Sequence, residues 1–174
     1  MIGVTALLVN QKVFSGQEPD GCRKILEDIL TNHQMTLLSY DVVPDQREVI
    51  VHRLQEFCER GDSPLVLTLG GTGVRPTDWV PEATRQVVDK EIPGIAEAMR
   101  AESLKKVRIA MLSRGIAGIK NQTVIINLPG SPKGIKENCE VVFPLLEHMV
   151  KKVGFFDDKK SSGRFGEIIG NPDL

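Results

Sequence analysis

The chain is poor in the residues that build disulfide scaffolds and metal centres. Its three cysteines, Cys22, Cys58 and Cys139, are odd in number and far apart in a sequence of 174 residues, which fits reduced thiols rather than a disulfide framework or a zinc site. The three histidines, His33, His52 and His148, lack H-x-x-x-H and H-E-x-x-H spacing, so metal ligation through imidazole is not expected. Charge of one sign is missing too. A net charge of -1 offers no global field for nucleic acid or a membrane surface, and any polyanion has to be held locally. The apolar stretch Ile2 to Val9 has no basic lead and is followed by Asn10-Gln11-Lys12. It reads as neither signal peptide nor membrane span, and a cytoplasmic protein is expected. Two phosphate fingerprints are absent as well: G-x-x-x-x-G-K-[ST] occurs nowhere, and Gly71-Thr72-Gly73-Val74-Arg75-Pro76 stops short of G-x-G-x-x-G, which excludes a P-loop enzyme. Asn121-Gln122-Thr123 matches the glycosylation pattern, but without a secretory route the match carries no meaning.

What remains is an ordinary globular composition, with 41% hydrophobic and 26% charged residues, and a length that supports one sizeable core. Apolar runs at Val4 to Val9, Met35 to Val43, Leu65 to Leu69, Arg108 to Leu112 and Thr123 to Asn127 alternate with helical patterns. That alternation predicts an α/β fold with a mainly parallel sheet covered on both faces. Helices are expected after Asp20 through Asn32, and from Gln46 to Arg60, Pro81 to Glu91, Pro93 to Lys105 and Pro132 to Val153, three of them opened by proline in the first turn. Pro144 is expected to kink the last one. The domain is placed at 1–153. Residues 154–174, polar apart from Ile168-Ile169, are read as a C-terminal extension.

Ligands of such sheets bind beyond the carboxyl ends of the strands, and the loops there are polar and rich in glycine. Leu69-Gly70-Gly71-Thr72-Gly73 joins a buried strand to a turn whose backbone N–H groups can face an anion, and Asp78 follows. Its carboxylate can hold a divalent cation against phosphate oxygens, or it can cap the helix opened by Pro81. Asp45, just past Val42-Val43-Pro44, is either a second carboxylate on the same rim or the N-cap of the next helix. Ser113-Arg114-Gly115 and Asn127-Leu128-Pro129-Gly130-Ser131-Pro132-Lys133 are two further anion-donor loops, the second at a helix N-terminus with Lys133 adding charge. For that loop the bland alternative is Ser131 as a cap and Lys133 in solvent. Trp79, beside Asp78, either anchors its loop or stacks on a ring.

As a set, Thr68-Leu69-Gly70-Gly71-Thr72-Gly73 with Asp78, Pro81-Glu82-Ala83-Thr84, Pro93-Gly94-Ile95-Ala96-Glu97-Ala98-Met99-Arg100, Met111-Leu112-Ser113-Arg114-Gly115 and Asn127 to Lys133 resemble the molybdopterin adenylyltransferase family. That family includes the MogA and MoaB proteins and the G domains of gephyrin and its plant counterpart. The resemblance implies a three-layer α/β/α domain, a homo-oligomer (trimer or hexamer), that uses ATP and Mg²⁺ to adenylylate the terminal phosphate of molybdopterin and releases pyrophosphate. A partner protein then supplies molybdate. It further implies Asp45 and Asp78 as the catalytic pair, Asp78 as the metal ligand, and Gly70, Gly71, Thr72, Gly73, Ser113, Asn127, Pro129, Gly130, Ser131 and Lys133 as the substrate and nucleotide contacts. The front end departs from the family pattern of Ser-Asp after the first strand and Ser-Gly-Pro at the first helix: Asn10-Gln11 and Cys22-Arg23-Lys24 stand there. The alternative is therefore a non-catalytic molybdopterin-binding or assembly protein with a degenerate substrate loop.

Overall fold

In the computed structural model, which describes residues 1–154, the apolar runs become strands of one six-stranded sheet. The expected extension at 154–174 lies, apart from Gly154, outside the described residues. β1 (Gly3–Val9), β3 (Leu65–Leu69) and β6 (Thr123–Leu128) form its middle. Their continuous apolar sequences suit strands buried on both faces, which alternating sequences do not. β2 (Thr36–Val43) pairs with the outer side of β1. These strands run parallel in the order β2-β1-β3-β6. The chain lays β2 on one side of β1 and β3 on the other, so a topological switch point lies between β1 and β3, where a crevice opens beyond the strand ends.

Successive strand residues point to opposite faces, and each face has its own core. Val4, Ala6, Leu8, Leu65, Leu67, Val124 and Ile126 pack with α2 (Arg23–Asn32), α5 (Pro93–Leu104) and α6 (Pro132–Lys152), through Leu26, Met99 and Leu146 among others. Leu7, Val9, Val66 and Ile125 pack with Ile50, Leu54 and Phe57 of α3 (Arg47–Arg60) and with Val80, Ala83 and Val87 of α4 (Val80–Val87). Helix, sheet and helix make the expected three layers. The remaining helix, α1 (Gln11–Phe14), is a single turn after β1. Among the described residues no helix is long and apolar enough to cross a membrane.

Two expectations are corrected. Arg108–Leu112 is a 3₁₀ helix rather than a strand, and its apolar side chains stay outside: Ile109 is 72% and Met111 69% exposed. The place in the sheet goes to β5 (Ala117–Lys120), which returns antiparallel to β6 through the tight turn at Asn121-Gln122, with Asn121 at φ 53°. The helix expected to reach Glu91 ends at Val87. Asp89 accepts from Lys120 Nζ at 2.8 Å and Asn121 N–H at 3.1 Å, which draws Lys90–Glu91 onto the sheet edge as β4, antiparallel to β5. The sheet is thus mixed at one edge while mainly parallel.

Candidate active site

The turn after β3 requires glycine at its first two positions. Gly70 has φ 90° and Gly71 φ 64°, a region that side chains rarely adopt. A Cβ on Gly70 would lie 2.8 Å from the Val9 carbonyl oxygen, and one on Gly71 2.6 Å from Val80 Cγ2. The loop after β6 lies directly alongside: Gly70 N–H donates to Leu128 O at 3.1 Å, and a Cβ on Gly130 would come within 3.0 Å of Gly70 Cα. The two glycine-bearing loops therefore touch at the switch point. Among the described residues, the N–H groups of Gly71, Thr72, Gly73, Gly130 and Ser131 donate to no acceptor. Unpaired backbone donors gathered at a crevice form an anion nest.

Neither rim carboxylate caps a helix. The N-caps of α3 and α4 are Gln46 and Trp79, without side-chain hydrogen bonds. Asp78 Oδ2 instead accepts from Arg75 N–H at 2.8 Å, closing the turn 75–78, and a Cβ on Gly73 would sit 2.8 Å from that oxygen. Asp45 Oδ2 takes the Gln11 N–H at 3.4 Å. Burial raises the Asp45 carboxyl above its ordinary range, the Gln11 N–H pulls it back, the Asp78 charge raises it and Arg75 lowers it. The two aspartates and Arg75 thus share one electrostatic site. Trp79 stands 38% exposed beside them.

Arg114 was legible in the sequence only as part of an anion-donor loop, and its guanidinium is committed internally. Nε donates to Gly73 O at 2.6 Å and Nη2 to Asp78 O at 2.7 Å. Both terminal nitrogens bond Glu82, and the backbone N–H donates to Thr72 O at 2.8 Å. Burial acts to raise the Glu82 carboxyl, yet the Arg114 hydrogen bond, its own amide and the Arg114 and Arg85 charges bring it below its ordinary value. Ser113 keeps a hydroxyl free of hydrogen bonds to the described residues and faces a cleft of about 300 Å³ shared with Arg85, Arg100 and Gly115.

Asn127 is not brought to the rim. It is 2% exposed: its Nδ2 donates to Thr68 Oγ1 at 3.0 Å and Thr84 Oγ1 at 2.9 Å, and its Oδ1 accepts from Ile116 N–H at 3.1 Å. Ser131 caps α6 by accepting from Gly134 N–H at 3.1 Å, and Pro129 packs beside Gly134. Lys133 is largely exposed, 3.9 Å from Glu137. At the front end Asn10 caps α1, accepting from Lys12 and Val13 N–H at 2.9 and 3.1 Å, and the Cys22 thiol donates to Gly130 O at 3.4 Å. All three thiols are free and buried; burial lifts Cys58 to about 11 and Cys139 to about 12. Among the described residues no group of three or more His, Cys, Asp or Glu gathers to hold a metal.

Residues 5–148 match the family described as a probable molybdopterin binding domain. This chain belongs to that family. A relative from Helicobacter pylori named molybdopterin adenylyltransferase is 40% identical over 151 residues, 86% of either chain. Two solved members superpose closely. The molybdopterin biosynthesis enzyme MoaB of Thermus thermophilus is 42% identical with a TM-score of 0.83, over 88% of this chain and 96% of that one. The molybdopterin biosynthesis Mog protein of Mycobacterium ulcerans is 35% identical with a TM-score of 0.82, over 88% of this chain and 99% of that one. Membership of the family and its α/β architecture, both expected from the motifs, are established by these matches.

Proposed function

We propose that the chain is a molybdopterin adenylyltransferase of molybdenum cofactor biosynthesis. The observation that supports this best is the convergence, at the switch point between β1 and β3, of five unpaired N–H groups with Asp45 and Asp78. In the reaction an oxygen of the molybdopterin phosphate bonds to the α-phosphorus of ATP while the bond to the departing pyrophosphate breaks. Two polyanions must meet, and their repulsion is the main obstacle. The amides of Gly71, Thr72, Gly73, Gly130 and Ser131 donate to phosphate oxygens, Lys133 adds charge at the rim, and Ser113 offers a hydroxyl to the pterin side. Asn127, its amide internally satisfied, holds the two loops in place without touching substrate. Asp45 orients the substrate phosphate.

A site with one or two carboxylates and no cage suits Mg²⁺, which binds through few protein ligands and completes its shell with substrate phosphates and water. Asp78 would hold it, and when bound it neutralises phosphate charge. Self-association is assigned to the apolar strip Leu104, Val107, Ile109, Met111 and Leu112, 40–72% exposed, which ends at Ser113. A second copy seated there would complete a homo-oligomer, and a further protein would supply molybdate to the adenylylated product. Buried, reduced thiols suit a cytoplasmic setting.

Calorimetric titration with purified molybdopterin, followed by ATP and Mg²⁺ with detection of pyrophosphate and adenylylated pterin, tests the reading. Binding with product is expected, and Asp78→Ala should slow product formation by about 10²-fold or more. Tight binding without product would favour a non-catalytic binding or assembly role, and absence of pterin binding would remove the substrate assignment.

A further inference from the structure

The segment from Thr72 to Asp78 carries two of the five unpaired amides, those of Thr72 and Gly73, and the metal-ligand candidate, yet little of it is packed in a core. Arg75 N–H donates to Asp78 Oδ2 and Asp78 N–H to Arg75 O, at 2.8 and 3.0 Å, so the turn closes on itself. Its two flanks are drawn together by the Val80 N–H bond to Gly71 O at 3.1 Å. Among the described residues, the segment itself is hydrogen-bonded to the rest of the molecule by Arg114, whose backbone and fork reach Thr72 O, Gly73 O, Asp78 O and the Glu82 carboxylate together. The base of that fork is itself held: Arg100 Nη1 donates to Gly115 O at 2.9 Å, and Asn127 Oδ1 takes the Ile116 N–H. A guanidinium has five N–H donors in one rigid plane, whereas an ammonium is a single point charge. Only the former can hold Gly73 O and Asp78 O at fixed separation while pairing with Glu82.

We propose that Arg114 is a positioning residue for the metal–nucleotide site: its fork sets where the Asp78 carboxylate and the Thr72 and Gly73 amides stand. Resting on the adenylyltransferase reading, this makes Mg²⁺–ATP affinity depend on the fork and not on folding alone. Glu82 serves as its counter-ion, since among the described residues it is the one carboxylate the guanidinium bonds.

The chain's single tryptophan, Trp79, is adjacent to Asp78 and reports on this turn. Its fluorescence is titrated with Mg²⁺ at fixed ATP in the wild type, Arg114→Lys, Arg114→Ala and Glu82→Gln, with thermal melts alongside. Arg114→Lys and Glu82→Gln should fold while the Mg²⁺ midpoint rises by about 10–100-fold, the range for loss of an outer-shell support. Arg114→Ala should shift it further, with partial recovery on adding methylguanidinium. If Arg114→Lys and Glu82→Gln melt lower but keep the wild-type midpoint, Arg114 is only structural and the proposal falls. A flat wild-type titration would instead overturn the nucleotide-site reading itself, taking the proposal with it; the two failures are told apart by the wild-type curve.

Discussion

Burial places Asp45 in an environment that disfavours its charge, and the nearby Asp78 adds to this after the Gln11 N–H has partly offset it. A carboxyl raised in the folded state stabilises the fold below its unfolded pKa, and that contribution is lost as pH rises through the folded value. At neutral pH the ionised Asp45 is therefore a structural cost retained at the rim. Asp45→Asn should leave the melting temperature at pH 7 unchanged or raise it by up to about 3 °C, a small effect because the side chain keeps some solvent contact, while pyrophosphate release drops about 10²-fold. Melts between pH 4 and 8 beside activity assays check both, and a lower melting temperature at pH 7 would show that the charge is compensated. Glu82 has the opposite sign. Its lowered carboxyl contributes stability above the unfolded pKa that is lost as pH falls through the folded value, so acid loosens the Arg114 fork.

Elements meet through a few buried polar links, and Asn127 is the densest of them. It ties β6 to β3 through Thr68, to α4 through Thr84 and to the segment before β5 through Ile116. Asn127→Ala leaves these partners buried without bonds and should cost about 2–4 kcal/mol, read from urea denaturation. The sequence placed Asn127 among the ligand contacts because loop position is all that a linear motif displays; its partners are 43 and 59 residues away. The helices opened by proline and the doubly buried strands were legible because their signals are local. Arg108–Leu112 was misread because its apolar composition matches a strand as well as an exposed 3₁₀ turn. The early end of α4 was missed for a related reason: the bonds from Lys120 and Asn121 that draw off Asp89 come from 31 and 32 residues away.

At the scale of the whole molecule, the strip from Leu104 to Leu112 is a cluster of large apolar side chains in water, and clusters of this kind mark association surfaces. If the proposed homo-oligomer forms through this strip, the paired substitution Ile109→Glu and Met111→Glu should convert it to a monomer in sedimentation velocity, with an unchanged far-ultraviolet circular dichroism spectrum. Persistence of the oligomer would place the interface elsewhere. Because the strip runs straight into Ser113 and Arg114, the monomer should also show a raised Mg²⁺ requirement for product formation.

By itself the sequence determined the α/β class, the central strands and the glycine turn, since each rests on hydrophobic period or backbone freedom. Only the tertiary structure decided that Asp45 and Asp78 accept from Gln11 and Arg75 N–H rather than cap helices, that Asn127 turns inward and that Arg114 grips the turn before Asp78. Those outcomes depend on which partner lies within hydrogen-bond reach. Chain folding sets that reach across tens of residues, and no local pattern encodes it.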